Sequence, residues 1–236
     1  MKVHAALAAF MLVTLGWLAV GHPFPQDLGY HHFANKATEF GVPNAANVLS
    51  NIPFVIIGAI GLSRRQDRLW MTLWAGLLLT GFGSGYYHLN PSNTTLVWDR
   101  LPMSITFAAV ICIFLRDALQ QAAPLTAWLI YSMSTVLYWA SFNDLRPYIV
   151  LQFGGMLLLV AIYFKHRATL PHWGWVLLGY AAAKILEAAD QSIWRATRGL
   201  LAGHAWKHLA AALGFVPLVR SRVFPSRNRS RASEAA

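Results

Sequence analysis

The sequence predicts an all-α membrane protein: a polytopic transmembrane helical bundle with a seven-helix core and one extra helix at the amino terminus. Of the 236 residues, 56% are hydrophobic and only 12% are charged, which is about half the charged fraction of an ordinary soluble domain. Apolar stretches of about the length that crosses a hydrocarbon core recur along the whole chain. The alternating pattern of barrel strands is missing, and a segment in lipid must pair its own backbone groups, so helices are the assignment that fits.

The apolar stretches, taken in order, define the predicted helices. Each is bounded by charged residues, Pro, Gly or Asn, and together they cover residues 4–20, 44–63, 69–88, 98–115, 124–141, 147–164, 173–191 and 199–219. The first stretch resembles either a retained helix or a signal peptide, and we interpret it as retained because no small-x-small cleavage site precedes Gly21. The predicted organisation is a hydrophobic helix or signal anchor (1–21), an outer loop (22–43), a seven-helix core (44–219) and a disordered basic tail (220–236).

The positive charges predict orientation. The net charge is +10, and the basic residues fall in short loops and in the tail, which is the pattern of cytoplasmic loops in membrane proteins. Counting Lys and Arg with the amino terminus inside favours a topology with both termini in the cytoplasm. No basic stripe alternates with exposed aromatic residues, so nucleic acid is not a predicted partner. The bilayer is the partner that these charges predict, and the sequence does not indicate an oligomeric state.

Three of the nine histidines lie within apolar stretches: His88, His204 and His208. Ionisable groups inside a membrane are costly and indicate function. His204 and His208 are four residues apart and therefore project from one face of a helix, and His88 would supply a third ligand. Three protein ligands with one open position are typical of catalytic zinc, although imidazole ligands also suit other divalent ions. In the predicted topology all three lie toward the outer leaflet.

Two further polar residues fall at the same depth. Ser84 precedes His88 by one helical turn, and Asp99 opens the next predicted helix. Asp99 is a candidate to accept a proton from water and return it to a leaving amine, and Ser84 is a candidate to donate a hydrogen bond to an oxyanion. The alternatives are that Ser84 only permits close helix packing, and that Asp99 caps its helix or pairs with Arg100.

Other polar residues in the apolar stretches admit simpler interpretations. Lys184 and Glu187 are three residues apart and are predicted to form an ion pair on one helix face, with binding of a polar headgroup as the alternative. Cys112 is the only cysteine. It lies in the middle of a stretch, forms no internal disulfide, and is predicted to be a small core residue.

Four runs of sequence resemble the alkaline ceramidase family, and most of all its bacterial members: residues 47–51 (NVLSN), 83–88 (GSGYYH), 98–103 (WDRLPM) and 203–208 (GHAWKH). The resemblance extends over residues 30–219, and the wider superfamily includes the adiponectin receptors and Per1-type proteins. It implies a seven-helix core that holds zinc through His88, His204 and His208, with Ser84 and Asp99 at the positions of the family's catalytic Ser and Asp. The implied reaction is hydrolysis of the ceramide amide to a sphingoid base and a fatty acid.

One feature departs from that family. Its animal members carry an acidic calcium site before the first core helix, whereas the stretch from Pro25 to Asn44 contains only Asp27 and Glu39 as acidic residues. Calcium dependence is therefore left open. Zn²⁺ is the one predicted cofactor.

We therefore predict a membrane-embedded, zinc-dependent amidase that acts on ceramide-like lipids. One alternative is a receptor-like or transport protein in which the same zinc is structural. A Ser–His intramembrane protease is disfavoured because Phe82 stands where a Gly-x-Ser-Gly motif needs glycine. Haem ligation is disfavoured because two histidines one turn apart on a helix suit a small ion better than the two faces of a haem.

Overall fold

A computed structural model describes residues 3–64 and 66–223, and in these ranges the chain is almost entirely helical. The only extended pairing that occurs there is an isolated bridge between Glu39 and Val42. The helices are α1 (Val3–Ala19), α2 (Ala45–Leu49), α3 (Ile52–Leu62), α4 (Arg68–Leu89), α5 (Asn93–Leu119), α6 (Leu125–Phe142), α7 (Arg146–Ile149), α8 (Gly155–His166), α9 (Trp173–Ala188), α10 (Asp190–Ala196), α11 (Gly203–Gly214) and α12 (Val216–Val223). The predicted all-α class is confirmed.

Three segments in the described ranges are long and apolar enough to cross a membrane: Ala45–Leu62, which contains α2 and α3, the long helix α5, and Arg146–His166, which runs from α7 through a five-residue π turn to the end of α8. They support the predicted helical membrane bundle. Cys112 lies in α5, is fully buried and is not in a disulfide. The predicted tail begins inside α12, and residues 224–236 lie outside the described part of the chain.

Two predicted helix boundaries are wrong. Helix α5 begins at Asn93, five residues before the predicted start, because Ser92 and Thr95 form a reciprocal capping box that stabilises a polar first turn. Asp99 therefore lies in the second turn of α5 and is not a helix cap. The last predicted stretch, 199–219, begins as a helix only at Gly203 and is interrupted at Phe215 between α11 and α12.

Helix α4 lies between α3 and α5, and glycines on its surface allow very close contact. A side chain at Gly83 would collide with the backbone carbonyl of Trp98 in α5, and one at Gly81 would collide with Val55 in α3. Small residues at helix interfaces let the backbones approach each other. This approach brings the residues that follow Gly83 and Trp98, namely Ser84 and Asp99, to the same place in the bundle.

Residues 22–43, which we call the strap, cross one end of the bundle and are tied to it at several points. The backbone amide of Leu145 donates to the Phe24 carbonyl at 2.8 Å, and the backbone amide of Gln26 donates to Asn143 Oδ1 at 3.2 Å. Further along, the two ring nitrogens of His31 bond to Tyr87 and Asn93, each at 2.9 Å. The predicted outer loop is thus an ordered segment that packs on the core helices.

Helix α1 packs on the core through one face. Phe10 makes an edge contact with the ring of Trp128, with centroids 5.2 Å apart, and Thr14 hydrogen-bonds to the hydroxyl of Tyr131 at 2.8 Å. The end of α1 is bound by Arg146, whose guanidinium also forms a buried ion pair with Asp144 at 2.7 Å. We call this junction of α1, the strap and α7 the anchor.

Candidate metal site and cavity

Three histidines from two helices meet in the interior of the bundle. His88 comes from the end of α4, and His204 and His208 from the first two turns of α11. Their rings are about equally spaced, with centroids 5.0, 5.0 and 5.2 Å apart, and their candidate ligand atoms all lie within 4.8 Å of one another. All three are buried. The structure therefore brings together the three histidines that the sequence singled out.

The hydrogen bonds of these rings fit a metal site. His88 Nδ1 and His204 Nε2 are buried and have no hydrogen-bond partner in the described part of the chain, which is costly for a polar atom unless it binds a ligand. His208 Nδ1 bonds to the Ser50 hydroxyl at 2.8 Å, and a hydrogen bond on one ring nitrogen typically orients the other toward a metal. The donor set is suited to a divalent ion such as zinc.

Local structure fixes where each ring lies. The first turn of α11 is held by Asp190, whose carboxylate accepts a hydrogen bond from the His204 backbone amide at 2.8 Å and from the strap residue Ala34 at 2.9 Å. The carbonyl of His88 accepts a hydrogen bond from the Asn44 side chain at 2.9 Å. Through these two hydrogen bonds Asp190 links the strap to the histidine-bearing helix.

Phe33 of the strap covers one side of the triad. Its ring centroid is 4.3 Å from that of His204 and 4.8 Å from that of His88, and its side chain is buried. On this side the imidazoles of His88 and His204 are therefore covered by apolar surface. The sequence does not single out Phe33, because one aromatic residue in a loop carries no periodic signal.

Ser84 and Asp99, the predicted catalytic residues, line the same cavity as His208. Both are buried, and the Ser84 hydroxyl is close enough to interact with the Asp99 carboxylate. They line a cavity of about 350 Å³ that also reaches His208. The cavity therefore gives a ligand simultaneous access to one of the three imidazoles, a hydroxyl and a carboxylate.

The cavity has an apolar part and a polar wall. The apolar part is formed by side chains from several helices, among them Phe54, Leu77, Met103, Phe107, Val110 and Phe215. The polar wall lies near Asp99 and consists of charged and hydrogen-bonding side chains: Gln26, Tyr30, Arg100, Lys184, Glu187 and Lys207. This division matches a molecule with a long apolar chain and a polar group close to the histidines.

Glu187 is the centre of the polar wall. It accepts hydrogen bonds from Lys184 at 2.6 Å, from Lys207 at 2.5 Å and from the Tyr30 hydroxyl at 3.1 Å. Burial and, next, the charge of Glu187 raise the pKa of Tyr30 well above its ordinary value, so the phenol keeps its proton and donates it. The predicted Lys184–Glu187 pair is confirmed, and Lys207 joins it from α11.

A protein-family model described as Ceramidase matches residues 38–224. The matched range contains the three histidines, Ser84 and Asp99, whereas α1 and most of the strap precede it. Comparisons with curated proteins and with solved structures give no significant match.

Proposed function

Because the chain belongs to the ceramidase family, we propose that it is a membrane-embedded, zinc-dependent amidase that hydrolyses the N-acyl amide of ceramide-like lipids to a sphingoid base and a fatty acid. The observation that carries the metal dependence is the triad. Two of its buried ring nitrogens have no partner, and the ring of its third member lines the same cavity as Ser84 and Asp99.

In this proposal His88, His204 and His208 hold the zinc ion. Zinc in such a site lowers the pKa of a bound water molecule and polarises the carbonyl group of the substrate. Ser50 keeps the His208 ring in position through its hydrogen bond, and Asp190 holds the turn that carries His204. Phe33 keeps bulk water away from His88 and His204.

Asp99 and Ser84 act on the amide. Asp99 accepts a proton from the attacking water and transfers it to the nitrogen of the leaving amine, so the C–N bond breaks without releasing an amide anion. The Ser84 hydroxyl donates a hydrogen bond to the carbonyl oxygen as negative charge develops there. The acyl chain occupies the apolar part of the cavity, and the sphingoid headgroup faces the polar wall.

The setting of this reaction is also proposed. The core 44–219 spans the bilayer seven times, and α1 is a retained additional span. Both termini lie in the cytoplasm, the triad faces the outer leaflet, and the basic tail 220–236 contacts anionic lipid. Support comes from the three apolar helical segments of sufficient length and from the loop charges.

The test measures metal content and turnover together. Wild-type protein purified in detergent is expected to contain about one zinc ion per chain and to release fatty acid from ceramide in a reaction that a chelator stops. His204→Ala should lose both zinc and turnover. His172→Ala is the matched control, because His172 is exposed and lies away from the triad.

Two outcomes contradict the proposal in different ways. Turnover by metal-free protein would exclude the zinc-dependent mechanism. Full zinc occupancy without hydrolysis of any ceramide or other lipid amide would instead favour the receptor-like or transport alternative, in which the zinc is structural.

A further inference from the structure

The polar wall carries more positive than negative charge. Arg100, Lys184 and Lys207 are three cations, and Asp99 and Glu187 are the two carboxylates that line the cavity with them. This excess of one positive charge exists before any divalent metal ion adds to it. Charges that lack partners are costly in a low-dielectric interior, particularly at membrane depth.

Arg100 contributes most clearly to the excess. It is buried, and its Nη2 donates to the neutral side chain of Gln26 at 2.7 Å. Its guanidinium lies over the rings of Trp139 and Tyr148, 4.2 and 5.0 Å from their centroids. Among the described residues, Nη1 has no hydrogen-bond partner, and no carboxylate is within ion-pair distance.

The two lysines share one carboxylate. Lys184 and Lys207 each pair with Glu187, which also accepts the Tyr30 hydroxyl. Glu187 therefore cannot neutralise both ammonium groups. The lysine cluster keeps a net positive charge, and the Lys184 side chain is 33% exposed, so it is accessible to a ligand.

These cations are close to the reacting groups. Arg100 directly follows Asp99 in α5, and Lys207 directly precedes His208 in α11. All four side chains line the same cavity. A substrate whose amide lies between Ser84, Asp99 and His208 would place the substituents of its nitrogen near these cations, because the remainder of the cavity is apolar and suits the acyl chain.

We propose that this site prefers N-acyl lipids whose amine half carries an anionic group next to the amide, a carboxylate or a phosphate, over neutral ceramide. This inference rests on the proposed amidase function and specifies its substrate class. It also assigns the Lys184–Glu187 pair to headgroup binding, together with Lys207 and Arg100.

Matched lipid pairs test the charge preference. N-palmitoylserine and N-palmitoylserinamide differ only in a carboxylate against a neutral amide, and ceramide 1-phosphate and ceramide differ only in a phosphate. For the wild type, kcat/KM for fatty-acid release is expected to be about tenfold or more higher for at least one anionic member than for its neutral partner. The two pairs separate preference for a carboxylate from preference for a phosphate.

Lys184→Gln should lower that anionic-to-neutral ratio about fivefold to tenfold, because it removes the most accessible cation. Lys36→Gln is the matched control, since Lys36 is exposed and does not line the cavity; its ratio should equal that of the wild type. Binding alone is measured with the Ser84→Ala protein by tryptophan fluorescence, where N-palmitoylserine should bind more tightly than its serinamide.

The failures are distinguishable. If no lipid amide is cleaved, the proposed function itself is wrong. If neutral ceramide and N-palmitoylserinamide are cleaved as efficiently as their anionic partners, the amidase stands and the charge preference is overturned. An unchanged ratio in Lys184→Gln would also overturn the proposal, because it would exclude the lysine cluster from headgroup binding.

Discussion

The anchor and the polar wall of the cavity each contain a buried arginine, but the positive charge of the two side chains is compensated to different extents. In the anchor, Arg146 bonds to both oxygens of Asp144 and donates to three carbonyl groups at the end of α1, those of Trp17, Val20 and Gly21. At the cavity, Arg100 has one neutral partner and an unpartnered Nη1. Each guanidinium nitrogen of Arg146 is hydrogen-bonded within the chain, whereas Arg100 at the polar wall has Nη1 without a partner among the described residues.

The same contrast extends to the other polar groups. Asp144 also accepts the backbone amides of Phe24 and Arg146, each at 3.1 Å, so the anchor is a closed network. Near the cavity, the ring nitrogens His88 Nδ1 and His204 Nε2 lack partners. Burial of a charged or polar group does not by itself separate structural from functional roles. What distinguishes these two regions is how completely the described residues satisfy the charged and polar groups in each.

The largest expected effect is on the anchor. Asp144→Asn leaves Arg146 buried without its counter-ion, so the melting temperature in detergent should fall by about 10 °C. Asp67→Asn is the control, because the Asp67–Arg116 pair is partly exposed and surface pairs contribute little. An equal, small change in both variants would show that the anchor is not a stabilising network.

The anchor also predicts a pH dependence. Burial opposes ionisation of Asp144, but the hydrogen bonds from Arg146 and the Phe24 amide outweigh it and hold the pKa of Asp144 below its ordinary value. Because the folded-state pKa is lowered, this stabilisation is complete above the ordinary value of about 3.9 and is lost as the pH falls below it. The difference in melting temperature between the wild type and Asp144→Asn should therefore be constant from pH 7 to about pH 5.

The next effect concerns Ser50, whose hydroxyl forms a hydrogen bond with the His208 ring. Ser50→Ala removes the hydrogen bond that orients His208, and zinc affinity should fall about 10- to 100-fold, measured by competition with a chelating dye. Ser132→Ala is a buried control, because the Ser132 hydroxyl has no partner. Equal affinities in the two variants would mean that His208 needs no orienting partner.

Arg100→Gln directly tests the role of the arginine at the cavity. It should lower the preference for anionic over neutral lipid amide about tenfold while the melting temperature falls much less than in Asp144→Asn. If the melting temperature fell by as much and the preference stayed constant, Arg100 would be a structural arginine like Arg146, and the contrast between the two regions would not hold.

The smallest effect is expected at Phe33. Phe33→Ala opens a path for water to His88 and His204, so zinc should dissociate into excess chelator about threefold to tenfold faster. Phe40→Ala, at an exposed position on the same strap, should leave the rate unchanged. An unchanged rate in Phe33→Ala would show that the ring does not shield the triad.

The sequence predicts the parts of this molecule that depend on local pattern. The helical class follows from composition, and the three histidines were identified because they are ionisable residues inside apolar stretches, two of them at helical spacing. Ser84 was placed correctly one turn before His88. The start of α5 was missed because its first turn is polar, so hydropathy does not register a helix that a capping box stabilises.

The contacts contributed by the strap could not be predicted. Phe33 and Gln26 reach the site only because tertiary hydrogen bonds fix the strap across the helix ends. Ser50 had a sequence signal, since it lies in the run 47–51 that resembles the family, but only the structure shows its bond to His208. Lys207 is the third member of the Lys184–Glu187 cluster. It was missed because it lies between His204 and His208, which carry the stronger sequence signal.

The buried Phe33 and the mostly apolar cavity affect how this protein would encounter a lipid. In the proposed membrane-embedded amidase, with Phe33 covering one side of the triad, a long-chain substrate would reach Asp99 and His208 along apolar walls without passing through water. Collisions between enzyme and substrate are then two-dimensional. The quantity that sets the rate is the mole fraction of substrate among the surrounding lipids, so diluting the membrane with inert lipid should slow turnover, whereas diluting the buffer should not.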